Sequence, residues 1–242
     1  MSVWATSPVV VGHRGGRGDG WPQENTLDAF ERARREGALA IELDVRTCAG
    51  GNIVVFHDAT LSRMAKGSDE RLVSDVPLEE LRAMGVPTLE EALAWARSNA
   101  MAVNVEMKHE VPDLLKLARG TARAVLDASV DVLVSSFDPR LLAMVALLAS
   151  KLPRALLVRA RQPFWADAAQ RAARPPFVRW LHLERTQVHA TALASPMRRG
   201  LRLGVWTVND ASEAVELVRR GASSIITDTP GTIARALALT RS

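Results

Sequence analysis

The chain has 242 residues, 48% of them hydrophobic and 24% charged, which suits one large α/β domain with a sizeable buried core. Its single cysteine, Cys48, excludes an intrachain disulfide framework, and no apolar run reaches the roughly 18 residues of a spanning helix. A net charge of +4, carried by scattered arginines with lysine only at Lys66, Lys108, Lys116 and Lys151, argues against a nucleic-acid surface, and aromatics are too sparse for base stacking.

The apolar run 9–11, ending at Gly12, reads as a strand buried on both faces. Asn25 or Thr26 then offers an N-cap to a helix that stops at Gly37. Residues 40–46 form the second expected strand, with an extended segment at 53–57 close behind it. An irregular excursion follows over 58–89, with a short helix near 78–84, before a longer helix at 90–100. Further on, strands are expected at 102–108, 132–137, 154–160, 180–185, 202–208 and 224–227. Helices are expected between and after them at 112–128, 139–150, 164–173, 188–199, 212–220 and 232–239. Eight strand–helix pairs imply a parallel sheet, and favour a closed (β/α)₈ TIM barrel over an open doubly wound sheet. The expected architecture is thus a single domain over 1–242, with a small insertion after the second strand at 58–89.

Active sites of such barrels lie at the carboxyl ends of the strands. Polar residues collect at those ends: His13-Arg14, Glu42 and Asp44, His57-Asp58, Glu106 and Lys108, Trp206 with Asn209, and Asp228. Glu42 and Asp44 are two apart, so on a strand they share a face and repel unless a cation or proton lies between them. Glu106 adds a third oxygen donor, and a three-carboxylate set suits a hard divalent ion, Mg²⁺ or Ca²⁺. The competing reading pairs these acids with Arg14 and Arg46. His13 and His57 flank the acids as an acid–base pair. His109, His182 and His189 lack that setting and read as structural or surface residues, with a peripheral substrate role left open for His182 beside Glu184. The stretch 12–20 lacks both the P-loop and the dinucleotide spacing, and reads as a flexible loop whose backbone can approach a phosphate. Ser135-Ser136 has no base partner in the sequence pattern, which argues against a serine nucleophile.

At His13-Arg14-Gly15, Glu24-Asn25-Thr26, Glu42-Leu43-Asp44-Val45, His57-Asp58, Glu106-Met107-Lys108, Ser136-Phe137-Asp138 and Val205-Trp206-Thr207-Val208-Asn209, the sequence resembles the glycerophosphodiester phosphodiesterase family. Each piece is short; their order and spacing carry the resemblance. It implies hydrolysis of glycerophosphodiesters to an alcohol and sn-glycerol 3-phosphate, through a cyclic phosphate formed by a glycerol hydroxyl. It further implies one divalent cation on Glu42, Asp44 and Glu106, His13 and His57 as acid and base, and phosphate binding by Arg14 and Lys108. Phe137 and Trp206 would wall the substrate, and 58–89 would form a small cap. The sequence departs from the family in Gln23, which separates Pro22 from the Glu-Asn-Thr motif, and in the loop 16–21. Residues 1–11 lack the basic region of a secretory signal, so the expected location is the cytoplasm, without stable membrane association or nucleic-acid partner. The rival readings are a related barrel acting on lysophospholipids, for which Trp21 and Trp165 are the candidate lipid-facing residues, and a barrel that only binds phosphorylated ligands.

Overall fold

A computed structural model describes residues 2–161, 163–188 and 193–240. The strands are β1 (Val9–His13), β2 (Ala40–Thr47), β3 (Ile53–Val55), β4 (Ala102–Met107), β5 (Val132–Ser136), β6 (Arg154–Val158), β7 (Trp180–Glu184), β8 (Arg202–Trp206) and β9 (Ser224–Thr227). The helices are α1 (Leu27–Arg35), α2 (Leu78–Ala83), α3 (Leu89–Ser98), α4 (Leu114–Ala128), α5 (Pro139–Leu148), α6 (Phe164–Ala172), α7 (Ala194–Arg198), α8 (Ala211–Arg219) and α9 (Pro230–Leu239). Eight strands pair in the order β1-β9-β8-β7-β6-β5-β4-β2, all parallel, and β1 pairs again with β2 to close the barrel. The fold is therefore the expected TIM barrel, plus one extra strand. That strand, β3, is shorter than the segment expected at 53–57, and runs antiparallel to β2 outside the barrel.

The strands are apolar on both faces at their starts because one face meets the helices and the other fills the barrel. Outward residues such as Ile41, Leu43, Val103, Val105 and Met107 join α-helical Phe30, Leu93, Leu117 and Leu142 in the largest core cluster. Inward residues Val9, Val11, Ala40, Ala102, Leu133, Ala155, Trp180 and Ile226 form a separate cluster with Trp4. Trp4 stands edge-on to Trp180 at 6.0 Å and plugs the amino-terminal end of the barrel. Counting by two from these inward residues places Glu42 and Asp44, Asn104 and Glu106, and His182 and Glu184 on the same interior face. The excursion between β3 and α3 carries its own small core of Leu61, Val73, Val76, Leu81 and Val86, packed on Cys48, Val54 and Phe56.

Caps account for several boundaries. Thr26, of the two candidates, caps α1 by accepting from the Ala29 amide at 3.3 Å, and Thr88 with Glu91 forms a capping box on α3. Pro112 does not begin α4: the Asp113 carboxylate accepts from the Lys116 amide, and the helix starts at Leu114. The helix expected over 188–199 is resolved as a 3₁₀ turn at Arg185–Gln187 and the short α7, while 189–192, His189 among them, lie outside the described residues. The glycine-rich loop after β1 is packed at 14–16 and exposed at 18–20. Gly15 has φ +88°, and a Cβ there would sit 2.7 Å from the Ala29 backbone; one on Gly16 would meet the Trp21 ring at 2.5 Å. Trp21 packs on this loop, with Arg32 over its ring at 4.3 Å, and is half-buried. Trp165 lies in α6, not a loop, and its side chain is outside the described residues.

His182 departs from the surface and substrate readings. It is 1% exposed inside the barrel, packed against Trp180 and Gly204, and neither ring nitrogen has a hydrogen-bond partner among the described residues. Burial pushes its imidazole down to about 3. An unfolded chain takes a proton near 6.5, so below that pH unfolding gains about 1.4 kcal/mol per unit until the folded group also titrates. This contribution is complete above pH 6.5 and is lost as pH falls toward 3. Denaturant titrations of the wild type and His182→Gln between about pH 7 and 5 should show their stability difference shifting toward the variant by about 2 kcal/mol in all, most of it below pH 6.5. A difference that stays constant across that range would contradict a sealed, neutral His182.

Candidate active site

Strand register assembles the site. His13 of β1 lies beside Glu42 of β2, and Asp44 of β2 beside Glu106 of β4, all facing inward at the carboxyl ends. Glu42, Asp44 and Glu106 offer carboxylate oxygens within 4.8 Å of one another, and all three are buried. Burial, then Asp44 and Glu106, push the Glu42 carboxyl well above the usual carboxylate range. Burial pushes Asp44 the same way, but Lys108 and Arg14 outweigh it and hold that carboxyl well below the range. Lys108 Nζ lies 2.9 Å from Asp44 Oδ1 and 2.5 Å from Glu106 Oε1.

Arg14 takes the left-handed conformation, φ +53°, which turns its amide onto Glu42 Oε2 at 3.0 Å while its Nε sits 3.0 Å from Asp44 Oδ2. Its Nη1 donates to Glu24 Oε1 at 2.9 Å. Asn25, also left-handed at φ +61°, donates to Asp44 Oδ2 at 2.9 Å and accepts from the Asp44 amide. Arg14 therefore pairs with the acids as the competing reading held. Arg46 does not: its guanidinium donates to the His57 carbonyl at 2.9 Å and pairs with Glu110 at 3.2 Å.

His57 reaches the site because β3 folds back along β2. Gly50 and Gly51, at φ +81° and +90°, make the turn, and the Phe56 amide then donates to the Asp44 carbonyl at 2.9 Å. Each histidine has a carboxylate behind it. His13 Nδ1 is 2.8 Å from Asp228 Oδ1, and His57 Nδ1 is 2.6 Å from Asp58 Oδ1. If Nδ1 carries the proton, Nε2 of each ring remains for proton transfer; His13 Nε2 is 4.0 Å from Glu42 Oε2. Burial lowers the His57 imidazole, favouring its neutral form. Asp228 is in turn held by Arg17 Nε at 2.8 Å and Asn209 Nδ2 at 2.9 Å. Against the effect of burial, hydrogen bonds to His13 and Arg17 keep it well below the usual carboxylate range.

One cavity of about 430 Å³ brings together His13, Arg14, Glu42, His57, Glu106, Lys108, Phe137 and Trp206, that is, the sequence-predicted residues except Asp44, which lies sealed beneath it. Phe137 and Trp206 meet edge to face at 5.6 Å on its wall. His109, read from sequence as structural or surface, also lines it, as do Arg17, Glu110 and Arg159. Ser135 and Ser136 are buried, and Ser136 Oγ donates to the Met107 carbonyl, so neither is placed as a nucleophile. Asp228, Glu24 and Asp58 are the partners that sequence reasoning left without a role. The position of Asp228 at the end of the last strand was the available signal.

A closed parallel barrel with acids, histidines and cations converging at its strand ends defines the class as a barrel enzyme for polar, anionic substrates. Residues 13–232 match the model of the Glycerophosphoryl diester phosphodiesterase family, and the chain belongs to that family and is a phosphodiesterase. A glycerophosphodiester phosphodiesterase from Caldanaerobacter subterraneus is 28% identical over 242 aligned residues, covering 93% of this chain and 96% of its own. The structure of a Thermotoga maritima glycerophosphodiester phosphodiesterase, 26% identical, superposes with a TM-score of 0.71 over 97% of this chain and 98% of that one. An Oleispira antarctica phosphodiesterase in complex with the product sn-glycerol-3-phosphate shares the fold, with a TM-score of 0.84 and 24% identity over 98% of this chain and all of that one (100%).

The donor set also fits a hard cation. Three carboxylates converge, and Glu42 Oε1 is buried without a hydrogen-bond partner. Removing the Glu42 charge in Glu42→Gln is expected to weaken Mg²⁺ or Ca²⁺ binding by roughly tenfold or more, since ligand charge sets such affinities. Titration calorimetry checks this, and an unchanged affinity would count against the carboxylate site.

Proposed function

We propose that the chain hydrolyses glycerophosphodiesters to an alcohol and sn-glycerol 3-phosphate, with one bound divalent cation, Mg²⁺ or Ca²⁺, and a two-histidine acid–base mechanism. The observation that carries this reading is a pair of carboxylate-backed imidazoles facing one cavity with the three-carboxylate cluster at its base. The product held by the Oleispira relative supports the same substrate class.

In this reading Glu42, Asp44 and Glu106 hold the cation, which when bound polarises the phosphoryl oxygens. His13 and His57 exchange roles as base and acid, one Nε2 taking a proton from the attacking glycerol hydroxyl and the other giving one to the leaving oxygen. The cyclic phosphate so formed is opened by water with the roles reversed. Asp228 and Asp58 fix the ring orientations and stabilise each imidazolium as it forms. Lys108 donates to Glu106 and lies 2.9 Å from Asp44 Oδ1, which leaves N–H capacity for the phosphate, beside Arg14. Phe137 and Trp206 wall the substrate. Domain organisation follows the same lines: one barrel domain over 1–242, with 58–89 as a cap beside the site, tied to it by Arg63 reaching Glu24 and Asp58 at 2.6 and 2.5 Å. Among the described residues no helix is long and apolar enough to cross a membrane.

The test is release of sn-glycerol 3-phosphate from a glycerophosphodiester, first with chelator and then with Mg²⁺ or Ca²⁺ restored. Product that disappears with chelator and returns with metal is the expected result; folded, metal-loaded protein that yields none overturns the reading. His13→Ala and His57→Ala should each lower turnover by about 10²–10⁴-fold while leaving the fold intact. Wild-type turnover in either variant would remove that histidine from the mechanism.

A further inference from the structure

Charge in the cavity is already matched, with one exception. Arg14 is committed to Glu24, Glu42 and Asp44, Lys108 to Asp44 and Glu106, and Arg17 to Asp228. The remaining carboxylate on the wall, Glu110, is taken up by Arg46 and by His109 at 3.4 Å. Arg159 lines the same cavity with no carboxylate partner among the described residues. Its place follows from the strand: Ala155 and Leu157 of β6 face the barrel interior, and the same alternation carried past the end of β6 aims residue 159 into the mouth.

The backbone there is fixed on both sides. Gln187 Nε2 donates to the Arg159 carbonyl at 2.7 Å, and the next amide, Ala160, donates to Glu184 Oε2 at 2.7 Å. The guanidinium lies 5.2 Å from the Phe137 ring centroid. It therefore occupies an aromatic site that a quaternary ammonium would otherwise seek, and adds a positive charge to the cavity wall.

Resting on the phosphodiesterase reading above, we propose that Arg159 determines leaving-group specificity, selecting glycerophosphodiesters whose alcohol carries a negative charge over those with a cationic head group. An anionic group, phosphate or carboxylate, pairs with the guanidinium; a choline ammonium meets repulsion and a blocked ring face.

The experiment compares glycerophosphoinositol 4-phosphate (anionic), glycerophosphoglycerol (neutral) and glycerophosphocholine (cationic) in wild type and Arg159→Glu. The wild type should prefer them in that order by kcat/KM, and the variant should cut the anionic-to-cationic ratio by at least on the order of tenfold. The neutral substrate should move least, because the substitution lies outside the proton-transfer groups. A ratio unchanged in the variant, or a wild type that prefers the choline diester, overturns the proposal. Binding of the same three compounds, followed by titration calorimetry, separates the two readings. Diesters that bind with the Arg159-dependent order but are not cleaved defeat the proposed activity alone, while affinities blind to the charge at 159 defeat the specificity alone.

Discussion

Asp44 is fully buried and yet charged, and much of the site is built to keep it so. A lone carboxylate in a barrel interior would take up a proton, so its charge requires compensation from every neighbouring element. The end of β1 supplies Arg14, the end of β4 supplies Lys108, and the loop before α1 supplies the Asn25 amide. The Phe56 amide binds the Asp44 carbonyl and draws the β3 return against β2, carrying His57 with it. The two non-glycine left-handed residues of the region, Arg14 and Asn25, both contact this carboxylate, and Arg14 also turns its amide to Glu42. Their unfavourable backbone conformations are held because relaxing either would leave a buried charge short of a partner.

The barrel was legible because its signal is repetitive. Eight apolar runs alternating with amphipathic segments leave few topologies, and the period-2 rule puts Glu42 and Asp44 on one shared face of their strand, with Glu106 near the end of another. What escaped was set by local competition that periodicity does not encode. Asp113 outcompetes Pro112 as the start of α4, because a side-chain acceptor satisfies a free amide whereas proline merely tolerates the position. The extended run after β2 turns back as an antiparallel strand, because two glycines at positive φ allow a tight reversal.

The site was legible in its residue types and less so in its pairings. Motif order pointed to His13, His57 and the three acids, all of which converge, but it was silent on which groups hold them. Asp228 sits 215 positions from His13 and meets it only because β9 pairs with β1. Arg46 shares the parity of Asp44 and looks from sequence like its partner, yet the pairing of β2 with β4 stops at Val45 and the long side chain turns to the His57 carbonyl and Glu110. His182 has inward parity too, but it lies one layer below the carboxyl ends, between Trp180 and Gly204, where no ligand reaches. Parity states which face a side chain occupies; depth along the strand decides whether that face is site or core.

Depth also explains how the two imidazoles differ despite matching carboxylate partners. His13 ends a central strand, and its Asp228 ends the strand beside it, so that pair forms as the barrel closes through β1 and β9. His57 and Asp58 are adjacent in sequence, and their position depends on the β2–β3 return and on Arg63 from the excursion. The His13–Asp228 pair is therefore built by two barrel strands, and the His57–Asp58 pair by a peripheral segment with its own small core. Local openings of such segments require less free energy than unfolding the whole domain. The fold thus sets one histidine between paired barrel strands and the other at the edge of the cavity, on a segment that returns along β2 and lines a neighbouring pocket as well.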